Sequence, residues 1–412
     1  MERAEQYIAH LVEGNIMTLS SRPSPYIIPE YSLTGDLLAY LTCGLQYRYH
    51  NKGSLPPSTP VQLWFGEFIH GVMEEAYRDW RANQRRFPWT WDPEIRNIEL
   101  QIDRRLKARG LNPPPRLFCP YSVGDTHQRL CPDNSHPHQL IASRRAESAI
   151  NTWGPHLFPL IDDWEVKLKG IRPMPNYQEN ISRSNYYGVT GIIDVISSVN
   201  IQNAPSGNLV LHYLHNNENI QQLISDLTTP EYEIIIDYKG MRRPPRNDPN
   251  NRTWQYHEWQ LLTYAWLRSR QPQSKTVVAG LLFYFNELIP LADDIANLKR
   301  EIAGNQTDII PTGIDMRAVQ SWRRRSQLPL LSTNLREQRS IRVIPVNEGL
   351  IDQSLDSFDN VVLGIENSVL RETGGNPIRD CWISNPVERT CDACDFKTFC
   401  PNPAARYLPT VP

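Results

Sequence analysis

Two compact apolar runs, "EYEIIIDYKG" at 231–240 and "KTVVAGLLFYFNE" at 275–287, flank the helical stretch "WQYHEWQLLTYAWLRS". Short runs rich in branched apolar residues read as buried strands. A helix over about 254–270 joins them as a crossover, and a crossover of that kind requires the two strands to be parallel. This unit predicts an α/β core. It also delivers Asp237 and Lys239 to one strand face, because residues two apart on a strand point the same way. Ile234 and Ile236, or their neighbours, are its buried residues.

The rest of the chain arranges itself around this unit. Residues 1–60 hold short helical pieces and the loop "NKGSLPPSTP". Leu63, Phe65, Ile69, Met73 and Tyr77 recur near helical spacing, which predicts one long amphipathic helix in a helical region at 61–109. Residues 110–140 are rich in Pro, His and turn formers and read as an insertion. A core region over 141–290 opens with a helix at about 141–152. "WEVKLKGI" and "NYYGVTGIIDVISSV" follow as strands. A polar stretch at 200–230 with a short helix comes before the 231–240 strand. Residues 291–380 read as mainly helical, with one strand at "SIRVIPV" and a long helix at about 348–371. A cysteine module occupies 381–412.

Composition narrows the class. The chain has 412 residues, a net charge of −2 and seven cysteines. It contains no apolar run of membrane-spanning length, and its first residues do not read as a secretory leader. An odd cysteine count with three thiols clustered argues against a secreted disulfide framework and for the reducing cytoplasm. No glycine-rich phosphate loop of the motor type is present. Only eight of the 43 basic residues are lysine. Arginine suits bidentate phosphate contact, though genome composition also sets this ratio.

Several residues invite chemistry, each with an ordinary reading beside it. Asp237 and Lys239 can be a simple ion pair. Asp194 lies inside an apolar β-type run and needs a partner, because a buried unpaired carboxylate is costly. His70, in "GEFIHGVMEE", can be a packed helix histidine. Gln260 and Tyr264 stand at i and i+4 on one helix face. Arg242, Arg243, Arg246 and Arg252 follow the charged strand end in "KGMRRPPRNDPNNR", where phosphate contact or a solvated loop both fit. "SWRRRSQ" at 321–327 is a second basic candidate. Cys391, Cys394 and Cys400, in "CDACDFKTFCP", are three thiols where cluster and metal sites usually use four. Cys119 and Cys131 with His127, His136 and His138 are candidates for a separate zinc site, and Cys381 reads as a plain buried thiol.

In this order the helix histidine, the Gly-x-x-Asp strand, the Asp-x-Lys strand and the Gln-x-x-x-Tyr helix resemble the RecB-like branch of the PD-(D/E)XK nuclease superfamily. Within it the chain looks most like the iron–sulfur exonucleases of CRISPR adaptation and AddB-type nuclease domains. The resemblance implies a restriction-endonuclease-like core, a mixed sheet flanked by helices, with a four-cysteine module joining the N- and C-terminal regions. It makes Cys43, in "LTCGLQYRY", the fourth ligand with Cys391, Cys394 and Cys400. The implied cofactor is a [4Fe-4S] cluster, with zinc as the alternative. Asp194, Asp237, His70 and the Tyr238 carbonyl would hold Mn²⁺ or Mg²⁺. Lys239 would orient the attacking water and balance the developing negative charge, with Gln260 and Tyr264 positioning the strand. Ile193 stands where the superfamily's name has proline, and Asp237 where it often has glutamate. The implied activity is DNA cleavage from single-strand ends in repair, recombination or CRISPR defence, with any helicase or adaptation protein a separate partner. A non-catalytic DNA-binding or scaffolding subunit of the same fold is the other reading, and electron transfer a third.

Overall fold

The computed structural model describes residues 28–52, 61–121 and 138–404. Six strands form one mixed sheet: β1 Glu30–Ser32, β2 Ile161–Pro173, β3 Tyr186–Asn200, β4 Glu231–Lys239, β5 Val277–Tyr284 and β6 Ile341–Pro345. The helices are α1 Gly44–Lys52, α2 Val61–Asn83, α3 Arg96–Ala108, α4 Ile141–Leu157, α5 Leu209–His215, α6 Glu218–Ser225, α7 Thr253–Ser269, α8 Ala292–Ala303, α9 Gly313–Ser321, α10 Thr333–Ser340 and α11 Glu348–Thr373, with a few shorter turns between them.

The expected crossover is present. β4 and β5 run parallel and are joined by α7. The rest of the sheet is mostly antiparallel: β2 on β3, β3 on β4 and β5 on β6. β1 adds a short parallel pairing with β3. Ile234, Ile235 and Ile236 are all fully buried. A central strand covered on both faces has no polar side, which is why its sequence is a continuous apolar run. Each such side chain contributes about 1.5–3 kcal/mol on burial.

Two cores follow from the two faces. Phe68, Val72, Trp153, Leu214 and Ile220 pack with Ile234, Ile236 and Phe283 under α2–α6. Leu261, Leu262, Phe358 and Val362 of α7 and α11 pack with Tyr187, Ile235 and Leu282 on the other face. A third, small core (Ile295, Leu298, Val319, Trp322, Leu331, Leu335) holds together the long β5–β6 insertion.

Three local expectations need correction. Leu63 is exposed (43%), while Trp64, Phe68, Val72 and Ala76 are buried beside Phe65, Ile69, Met73 and Tyr77. The buried stripe of α2 is two i, i+4 rows wide, and Leu63 falls outside it. α4 continues to Leu157 rather than ending near 152. The 200–230 stretch forms two helices, not one, each started by an asparagine. Asn208 Oδ1 accepts from the Leu211 amide at 3.2 Å and Asn217 Oδ1 from the Ile220 amide at 3.3 Å, which satisfies first-turn donors that have no partner within the helix.

Candidate active site

The site forms where β3 and β4 part. Their ladder ends at the pair Val195 and Ile236. One step further along this register Asp194 and Asp237 would face each other. Instead the strands separate, and the side chain of Asp194 takes up the amide that the ladder leaves unpaired: Tyr238 N donates to Asp194 Oδ2 at 2.7 Å. The alternation of β3 also breaks here. Ile193 packs in the core beneath α7, whereas Val195 packs in the core beneath α2. Glu165, between the β2 partners of Ile193 and Val195, has φ +50°. A non-glycine residue in this region marks a constrained turn of the backbone.

α2 supplies the next group. His70 Nδ1 lies 3.2 Å from Asp194 Oδ2. Burial disfavours the charged imidazole, but the Asp194 carboxylate prevails and holds the pKa up, at about 9. Burial likewise disfavours Asp194 as an anion, and the His70 charge and hydrogen bond with the Tyr238 amide outweigh it, so its pKa lies below the ordinary range. Asp237 behaves oppositely. It is 3% exposed. Burial raises its pKa to about 6, against the pull of Lys239 and with the push of Asp194. Two neighbouring carboxylates are thus driven apart, one held ionised and the other reluctant to ionise.

Lys239 and α7 complete the group. Lys239 Nζ sits 2.5 Å from Asp237 Oδ2 and donates to Gln260 Oε1 at 2.8 Å. Gln260 Nε2 donates to Tyr264 Oη at 3.0 Å and reaches Asp237 Oδ1 at 3.5 Å. The i, i+4 pair read from the sequence therefore acts as one polar ledge beneath the strand end. Tyr264 fits there because residue 191 is glycine: a Cβ at Gly191 would lie 2.5 Å from Tyr264 Cε1. Gly191 is the glycine of the Gly-x-x-Asp strand, and the room it makes for Tyr264 is a role that the spacing alone does not show.

These residues line an open cleft of about 1660 Å³. Ile192, 54% exposed, stands on its wall two residues before Asp194. The sequence places Ile192 in an apolar run and so hides it among core residues. The β5–β6 insertion forms another wall, and Glu388 and Asp392 of the C-terminal segment reach the rim.

The arginines after β4 divide. Arg243 is 3% exposed, pairs with Asp308 and donates to the Ile341 carbonyl at 2.6 Å. It is a structural residue, not a surface phosphate contact as expected. A guanidinium with five donors can bind several inward-facing acceptors at once, and here it does. Arg242 lines the cleft but is paired with Glu301 at 2.5 Å. Arg246 and Arg252 are exposed.

The four cysteines singled out come to one place. Cys43, Cys391, Cys394 and Cys400 line a single small pocket, and none is in a disulfide. Burial, and then the Cys43 and Cys391 sulfurs beside it, raise the Cys394 thiol. Contacts that use no cysteine join the same chain regions: Leu45 N donates to the Ile383 carbonyl at 3.1 Å, and the Tyr49 ring lies 5.1 Å from that of Phe396. Cys381 is a buried thiol, as expected. Cys119 Sγ lies 3.1 Å from His138 Nδ1, while Cys131, His127 and His136 lie outside the described residues. Among the described residues no three His, Cys, Asp or Glu side chains are gathered as a ready-made metal site. At the strand ends Lys239 lies against Asp237 Oδ2 and His70 against Asp194 Oδ2.

Residues 224–401 match the family model of the PD-(D/E)XK nuclease superfamily. The matched span contains Asp237, Lys239, Gln260, Tyr264 and the three C-terminal cysteines, but not His70, Asp194 or Cys43. No curated protein matches the chain. A solved structure titled "Crystal structure of SSO0001" aligns over 87% of this chain and 93% of its own, at 11% identity and a TM-score of 0.22. No described helix is long and apolar enough to cross a membrane.

Proposed function

From the superfamily domain at 224–401, we propose that this chain is a divalent-metal-dependent deoxyribonuclease acting on single-stranded ends. The observation that carries the reading is the meeting of Asp194, Asp237 and Lys239 where β3 and β4 part, on the floor of an open cleft. Hard oxygen donors suit Mg²⁺ or Mn²⁺, and an imidazole tilts the set toward Mn²⁺. Asp237 fits such an ion: its carboxylate is buried beside Asp194, and among the described residues its one ion pair is with Lys239, whose ammonium an arriving phosphate would draw away. Asp194, Asp237, His70 and the Tyr238 carbonyl would hold the ion. A cation bound there supplies charge neutralisation at the scissile phosphate and makes water more acidic.

The protein's own groups do the rest. Lys239, turned from Asp237 toward the phosphate, donates to the developing negative charge. Gln260 holds the lysine in place through its carbonyl and is itself fixed by Tyr264. The test is cleavage of labelled single-stranded DNA by anaerobically purified protein, with Mn²⁺, with Mg²⁺ and with chelator. Cleavage that needs the metal is expected. Binding of the strand without cleavage under every metal condition would leave the non-catalytic, scaffolding reading in its place.

The cysteine pocket is proposed to hold a [4Fe-4S] cluster that staples the chain ends. Its support is that all four cysteines line one pocket and that four thiolates suit such a cluster. Closing so long a loop also removes much unfolded-state entropy. Cys43→Ser is expected to lose most iron and acid-labile sulfide, as are Cys391→Ser, Cys394→Ser and Cys400→Ser, while Cys381→Ser keeps them. Iron retained in Cys43→Ser refutes its assignment as a ligand. Zinc without iron in the wild type makes the staple a zinc site. Pathway and partners, CRISPR adaptation or repair with a separate helicase, rest on the family resemblance alone.

A further inference from the structure

The β5–β6 insertion does more than close the sheet. Its small core seats α8 and the 322–326 turn so that Asn297, Arg300 and Arg324 line the same cleft as Asp194, Asp237 and Lys239. The sequence offered three consecutive arginines at 323–325 without distinguishing them. In the fold only Arg324 of the three lines the cleft. Arg325 has φ +82°, a left-handed turn that sets the chain direction at this point.

The cations lining this cleft differ in how free they are. Arg145 is largely buried and held by Asp294 and the Ile289 carbonyl. Arg242 is tied to Glu301. Arg300 is exposed, its described hydrogen bond going to Asn297 on its own helix. Among the described residues Arg324 pairs only with Asp293, and both side chains are about three-quarters exposed, at 75% and 76%. An ion pair in full solvent contributes little and is readily exchanged for a better anion. Arginine presents a planar fork that matches phosphate geometry. Across the cleft, Lys167 is exposed and makes no ion pair among the described residues.

We propose that Asn297, Arg300 and Arg324 form a phosphate-binding subsite that holds the nucleic-acid backbone next to the scissile phosphate. This rests on the nuclease reading of the same cleft. The subsite binds without reacting: it raises affinity and fixes the strand's path, and the cleavage step stays with the β3–β4 residues. Arg324 releases Asp293 when phosphate arrives, and Arg300 reaches outward while Asn297 adds a neutral donor.

The experiment compares two double variants in the full-length protein. Arg300→Gln with Arg324→Gln removes the subsite. Arg323→Gln with Arg325→Gln removes the same charge, from the turn that carries Arg324 but from outside the cleft. Binding of a fluorescent single-stranded oligonucleotide is measured by anisotropy over a series of salt concentrations, and cleavage at saturating and limiting substrate. The cleft pair is expected to bind about tenfold more weakly, with a salt slope shallower by about 0.7 per lost contact. KM should rise while kcat holds. Arg300→Lys with Arg324→Lys should restore the slope, and the outer pair should match the wild type. Equal losses in both pairs would overturn the subsite, since only bulk charge would then matter. So would an unchanged salt slope in the cleft pair. If the wild type cleaves and the cleft pair does so identically, the subsite fails while the nuclease reading stands. If the wild type neither binds nor cleaves, both fall.

Discussion

Lys239→Ala is expected to slow phosphodiester cleavage by about 10²–10³-fold, the usual cost of removing one donor aimed at developing charge. Binding of the strand and the fold should survive. Among the described residues Lys239 is the only cation that touches both Asp237 and Gln260. Asp237→Asn should have an equal or larger effect, because it keeps the shape of the side chain but removes an anionic ligand. Single-turnover cleavage with oligonucleotide binding in parallel separates chemistry from affinity. Near wild-type cleavage by either variant would sink the assignment of the active site. Parallel loss of binding and of the unfolding transition would instead make the pair a structural one.

The second large effect concerns stability. Arg339 is 1% exposed and grips Glu287 twice, Nε to Oε2 at 2.6 Å and Nη2 to Oε1 at 3.0 Å. It also donates to Thr307 Oγ1 at 3.1 Å. Glu287 in turn accepts from the Arg243 amide at 2.8 Å. Together with Arg243–Asp308 and Arg242–Glu301, this network ties the insertion to the loop that follows Lys239. Arg339→Ala leaves a buried carboxylate uncompensated and should cost about 3–5 kcal/mol in urea unfolding at neutral pH.

That deficit should depend on pH with a definite sign. Burial works against the Glu287 anion, but Arg339 overrides it and holds the pKa below the ordinary range. A depressed carboxylate stabilises the fold above the unfolded pKa and loses that contribution as pH falls through the folded one. In the variant the carboxylate takes up a proton more readily, so the gap from wild type should narrow as pH drops through the glutamate range. Adding Glu287→Gln to Arg339→Ala should recover part of the loss, since the orphaned charge is gone while an acceptor for Arg243 remains. A deficit below about 1 kcal/mol, typical of exposed pairs, would show the network to be incidental.

The crossover of β4, α7 and β5 was legible because one strong periodicity and two apolar runs admit little else. Asp237, Lys239, Gln260 and Tyr264 were legible as well. Local geometry, i to i+2 on a strand and i to i+4 on a helix, already commits them to shared faces. Asp194 could be singled out by cost, because a carboxylate in an apolar run must have a partner. Its partners, the Tyr238 amide and His70, were a matter of how two strands part. The basic loop after β4 misled at Arg243, because composition does not tell a solvated arginine from one enclosed by acceptors.

The sequence by itself determined the elements: a parallel crossover with a charged strand end, a histidine-bearing amphipathic helix, and four cysteines set at opposite ends of the chain. Local propensity and hydrophobic period are short-range, and they act on neighbours within a turn or a strand. The tertiary structure alone decided where β3 stops pairing with β4, which arginines are enclosed, that Ile192 faces the cleft, and that the insertion's Arg300 and Arg324 look onto it. Each of these depends on contacts between residues far apart in the chain, set by which surfaces meet when the two faces of the sheet are covered. No local pattern encodes them.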